Sequence, residues 1–68
     1  MSTQTKYPDI HVQLAGKEGN AFAIIGCVRK ALREADVPND EINEFVLQAM
    51  SGDYDHLLAT CMKWVDAH

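Results

Sequence analysis

No stretch of this chain approaches the roughly 20 apolar residues of a membrane span, and Met1–Lys6 carries no signal-peptide pattern. The expected location is the cytoplasm. There, the two cysteines, Cys27 and Cys61, would be reduced thiols rather than a disulfide. Metal-ligand spacings such as CxxC or HExxH are missing, which argues against zinc. Internal repeats, low-complexity segments and linkers are missing too. No Ser–His–Asp or Cys–His set can be argued from spacing, and 68 residues leave little room for a deep dry pocket within one subunit. The expectation is a protein that is not an enzyme and uses no cofactor.

What is present is an ordinary globular composition, 47% hydrophobic and 24% charged. Enough apolar surface exists to offset chain entropy, which excludes a disordered acidic tail. The length allows one small domain, residues 1–68. A chain this short is marginally stable unless a disulfide, a metal or a partner subunit enlarges its core. With the first two not expected, oligomerisation is favoured.

The net charge of −4 is unevenly spread. Residues 1–33 hold Lys6, Lys17, Arg29, Lys30 and Arg33 against Asp9 and Glu18, a net of +3. Residues 34–68 hold eight acids against Lys63, a net of −7. Such a dipolar chain can pair head to tail or offer an acidic face to a basic partner. Direct nucleic-acid binding is not expected, because phosphate repels the acidic half.

Residues 1–6 are polar and read as a flexible N-terminus. Ile10-His11-Val12-Gln13-Leu14-Ala15 alternates apolar and polar, which predicts a half-buried strand over 10–15 with Ile10, Val12 and Leu14 inward. Gly16-Lys17-Glu18-Gly19 is a turn, and Asn20 is a helix N-cap. A helix over 21–36 follows, with its main stripe on Ala21, Ile24, Ile25, Val28, Ala31, Leu32 and Ala35, ended by Val37-Pro38. A second helix over 40–50, capped by Asn39 or Asp40, has its stripe on Ile42, Phe45, Val46 and Ala49. Gly52 suits the left-handed position after a helix, and Ser51 or Asp53 caps a third helix over 54–66. Its stripe is Tyr54, Leu57, Leu58, Cys61, Met62 and Val65, with Trp64 at the edge. The fold class is α+β.

One strand cannot stand alone, since its backbone groups need partners. The sequence offers no second convincing strand, so pairing with the same strand of another copy is the simplest solution. Alternatives are a strand from Ser2–Lys6 or lending the edge to another protein. Every residue from Ala21 to Val28 is apolar or glycine, so this helix needs cover on more than one side. Phe22 lies off the main stripe, covered by a neighbouring subunit or by the other two helices.

Three constellations are candidate sites. The glycine turn (Gly16, Lys17, Gly19, Asn20) opens a helix whose free amides and dipole favour an anion, but Glu18 would repel a phosphate there, and the simpler reading, a tight turn with an Asn cap, is favoured. It matches neither the dinucleotide fingerprint nor the P-loop spacing. Arg29 and Arg33 lie one turn apart on the flank of Phe22 and Gly26. They could stack a base or grip a phosphate, or pair with acids of the other helices. Asp53, Asp55 and His56 could bind a metal or move protons, although acids at a helix start are ordinary capping residues. Cys27 and Cys61 fall on or beside buried stripes.

The words Gly19-Asn20-Ala21-Phe22-Ala23-Ile24-Ile25-Gly26, Arg29-Lys30-Ala31-Leu32-Arg33 and Ser51-Gly52-Asp53-Tyr54-Asp55-His56-Leu57-Leu58 resemble a group of small uncharacterised proteins of bacteria, plasmids and phages. The resemblance runs from Tyr7 to Asp66. It implies a self-contained domain of mobile-element origin, and by analogy a small acidic inhibitor of host machinery.

The reading is a non-enzymatic, self-associating interaction module. It would bind or inhibit a host or regulatory protein through an acidic face of Asp40, Glu41, Glu44, Asp53 and Asp55. The alternative is a nucleotide or phosphorylated small-molecule binder using Gly16, Lys17, Gly19 and Asn20, with Phe22, Arg29 and Arg33 helping. A third reading is a small enzyme centred on Asp53, Asp55 and His56.

Overall fold

The alternating segment forms β1 (Tyr7–Val12), starting earlier than the pattern suggested. The computed structural model describes residues 5–14, 16 and 19–68; Lys17 of the candidate turn and Ala15 of the expected strand lie outside them. Three helices follow: α1 (Ala21–Glu34), α2 (Asn39–Ala49) and α3 (Tyr54–Trp64). The chain then extends into β2 (Val65–Ala67), which pairs in parallel with β1. The architecture is α+β, with all three helices forming the crossover that a parallel pair requires.

The expectation that this chain lacks a second strand is therefore corrected. The third helix stops at Trp64 instead of running to residue 66, because Val65 turns to φ −138° and ψ 169°. Val65 is fully buried in its extended conformation. The pairing sets Tyr7 opposite Val65, His11 opposite Asp66 and Val12 opposite Ala67, with an irregularity between Tyr7 and His11. Outside the ladder, the Lys6 amide donates to the Lys63 carbonyl (2.8 Å), and the His68 amide to that of Val12 (2.9 Å). On the outer face His11 Nδ1 meets Asp66 Oδ2 at 2.6 Å. The backbone need that pointed to another subunit is thus met on one edge of β1 from within the chain.

Helix ends are fixed by local chemistry. Asn20 caps α1, its Oδ1 accepting from the Ala23 amide at 3.1 Å. At the other end the Val37 amide reaches back to the Leu32 carbonyl and the Asp36 amide to that of Arg33, both at 3.0 Å. This is a Schellman closure with Asp36 in the left-handed position at φ 64°. It ends the helix at Glu34, before Pro38 acts. Pro38 itself takes the N-cap position of α2, so Asn39 and Asp40 fall inside the first turn rather than capping it.

Asp53 caps α3, its Oδ1 accepting from the His56 amide at 2.9 Å. Gly52 is not left-handed; only Gly16, Gly19 and Asp36 have positive φ among the described residues. A glycine stands at 52 because a Cβ there would come within 2.7 Å of the His56 ring.

The core lies where the inner face of the sheet meets the three helices. Val12 and Val65 come from the strands, Ile24, Val28 and Leu32 from α1, Phe45 and Ala49 from α2, and Leu57 and Cys61 from α3. Trp64 is central rather than peripheral. It stacks on Tyr7 with ring centroids 6.2 Å apart and meets Phe45 edge-on at 5.6 Å. Its Nε1 donates to Gln48 Oε1 at 3.2 Å. The indole thus joins β1, α2 and α3, each aromatic pair adding about 0.5–1.5 kcal/mol beyond area burial.

Candidate functional site

The glycine turn is stitched to α3. Gly16 (φ 91°) and Gly19 (φ 84°) adopt the backbone that glycine makes accessible. The Gly19 amide donates to the Tyr54 hydroxyl at 2.7 Å, and the Ala23 amide is taken by Asn20. Two amides that could have faced an anion are therefore engaged inside the protein.

His56 turns away from the carboxylates beside it in sequence. Its Nε2 lies 2.8 Å from the Gln48 carbonyl, 3.1 Å from Ser51 Oγ and 3.4 Å from Thr60 Oγ1. A bond to a carbonyl requires the proton on Nε2, so the imidazole serves as a donor closing the C-terminal end of α2. Asp53 is occupied as a cap and Asp55 is exposed. Among the described residues no group of three His, Cys, Asp or Glu side chains could hold a metal ion.

Glu41 is engaged internally. Its carboxylate accepts from the Tyr7 hydroxyl and lies 3.4 Å from Lys6 Nζ. The Lys6 ammonium also sits 4.4 Å from the centre of the Trp64 ring. The bond to Glu41, then burial, then the carboxylate's charge push the Tyr7 phenol up to about 12. The same bond is the main cause holding Glu41 below the ordinary carboxylate range, helped by Lys6 and opposed by burial. Sequence reasoning missed this cluster. Its partners are 34 residues apart, and no local spacing announces them.

Cys61 is buried and its thiol is pushed up to about 11, chiefly by desolvation. Such a thiol is a poor nucleophile at neutral pH. Cys27 is half-buried.

The remaining candidates converge on the outer face of α1 and α2. Phe22 is 79% exposed, Leu47 73% and Met50 57%. Phe22 and Met50 flank a shallow cleft of about 220 Å³ floored by Ile25 and Leu57. Arg29 and Arg33 are exposed on the same row of α1 as Phe22, and neither has an ion-pair partner among the described residues. Asp40 and Glu44 are exposed on α2, with Glu44 Oε2 accepting from Gln48 Nε2 at 3.1 Å. Leu47, which the sequence reading passed over, carries one available signal: it is a large apolar residue off the stripe of Ile42, Phe45, Val46 and Ala49. A second cleft, about 310 Å³ and almost wholly apolar, lies between Leu14, Ile24, Tyr54, Leu58 and Met62.

No helix among the described residues is long and apolar enough to cross a membrane. Compared with known protein families, curated proteins and solved structures, the chain matches none of them.

Proposed function

We propose that this chain is a non-enzymatic interaction module that binds protein through the outer face of α1 and α2. The observation that carries this reading is the exposure of Phe22, Leu47 and Met50 on so small a body, bordered by carboxylates and by arginines without an ion-pair partner among the described residues. Exposed apolar groups rimmed by charge characterise surfaces that a partner covers. The acidic part of the face reduces to Asp40 and Glu44, with Asp55 outlying, since Glu41 and Asp53 are used internally. The partner envisaged is a host or regulatory protein, a second copy of the chain, or both. Nucleotide binding at the glycine turn draws less support, because the Gly19 amide is committed to Tyr54.

A photo-crosslinking residue at position 47, expressed in the native host, tests the reading. Protein adducts at 47, lost when Phe22→Ser is added, are expected. No adduct of any kind at 47 overturns it.

A further inference from the structure

Two rows of exposed side chains run along this face. On α1 the row is Phe22, Gly26, Arg29 and Arg33; on α2 and just beyond its end it is Asp40, Glu44, Leu47 and Ser51, with Met50 beside Ser51. Within the helices the rows step by four, three and four residues on α1 and by four and three on α2, so each is a straight line on its helix, and the α2 line points on to the Met50–Ser51 turn. Read in opposite directions they complement one another. Phe22 meets the Met50–Ser51 end, Gly26 meets Leu47, Arg29 meets Glu44 and Arg33 meets Asp40.

Gly26 is the independent observation. It lies inside a helix, where glycine is unfavourable compared with alanine. Nothing among the described residues needs the space, because a Cβ built there meets no atom of theirs within 4 Å. Leu47 is the converse, a bulky apolar side chain projecting with no cover. A dimple and a knob at matched positions, followed by two opposite-charge pairs, fit an antiparallel helix contact.

We infer that the partner seated on this face is a second copy of the chain, with α1 of one molecule antiparallel to α2 of the other in that register. Phe22 and Met50 flank one cleft, so a two-fold axis makes the contact twice and closes the dimer. The strand edge, first expected to join the copies, is not needed for this arrangement. The inference rests on the interaction-module reading and narrows it to one partner.

The test uses the purified full chain in sedimentation-velocity experiments, with circular dichroism confirming that each variant is folded. Wild type is expected to dimerise, more weakly at high salt. Arg29→Glu with Arg33→Glu places acid against acid and should weaken self-association about tenfold or more. Asp40→Arg with Glu44→Arg places base against base and should do the same. An equimolar mixture of the two variants restores both sets of pairs, and a heterodimer of near wild-type affinity is expected. Gly26→Leu should block the contact while leaving the fold intact. Wild type that stays monomeric at its solubility limit overturns the inference, as does a charge-reversed mixture that is not rescued. Either failure leaves the broader reading to stand if position 47 crosslinks to a different protein in the host.

Discussion

Replacing Gly52 with alanine tests whether space, and not backbone conformation, keeps a glycine between α2 and α3. The added methyl carbon would lie 2.7 Å from His56 Cγ, 2.8 Å from its Cβ and 2.9 Å from Cδ2. Because Cβ is among the atoms struck, the side chain cannot relieve the clash by moving its tip alone. Relief requires the imidazole to leave the Gln48 carbonyl and Ser51 Oγ, losing bonds of 2.8 and 3.1 Å. Overpacking of this kind costs about 1–3 kcal/mol. A gain of about 0.4–1 kcal/mol from the stiffer unfolded chain offsets part of it. The net expectation is a loss of roughly 1–2 kcal/mol, which for a domain of this size lowers Tm by about 4–16 °C. Urea and thermal unfolding followed by circular dichroism measure it. In a His56→Ala background the contacts with Cγ and Cδ2 are gone and no imidazole bonds remain to be lost, leaving only the contact with Cβ, so the same substitution should cost less, giving a coupling of about 0.5 kcal/mol or more. If Gly52→Ala stabilises the wild-type protein, or if the two substitutions are additive, the steric explanation is wrong.

Gly26→Ala should act in the opposite sense, raising stability by about 0.5–1 kcal/mol in dilute solution, since its methyl meets nothing and the helix gains propensity; a loss in urea midpoint would contradict this. Asp36→Gly should raise stability by roughly 0.5–1 kcal/mol, the relief of a non-glycine left-handed residue exceeding glycine's entropic cost. Stability should fall as pH climbs from 9 to about 11, because the native Cys61 thiol holds its proton more tightly than the unfolded chain does, by on the order of 2–3 kcal/mol in all. Tyr7 continues the decline from pH 10 to about 12, and Cys61→Ala should flatten the first part of an alkaline titration read by urea midpoints.

The helices were legible because their apolar spacing has one interpretation. Ile24, Val28 and Leu32 recur on one face and are buried there, as are Phe45 with Ala49 and Leu57 with Cys61. The caps Asn20 and Asp53 announced themselves by type and position. Val65 did not, because it satisfies the helical stripe of Leu58 and Cys61 as well as an extended inward position; three residues show no alternation to decide between the two. Asp36 was hidden because the left-handed terminus was occupied by an acid instead of the expected glycine. For the candidate face, Phe22 was readable from its angle off the stripe. The engagement of Glu41 was not, since it depends on a hydroxyl brought in from β1 and an ammonium from Lys6 just before it.

Joining β1 to β2 brings together residues as remote as His11 and Asp66, 55 positions apart. Closing a loop of that size costs about 3.5 kcal/mol of chain entropy before any ladder bond repays it. The sheet should therefore be the last part to assemble, after local helical contacts have shortened the effective loop. Once formed, it clasps the whole crossover. Amide exchange at Val12 and His68 should then share the protection of the helical interior, with the protein opening as one cooperative unit.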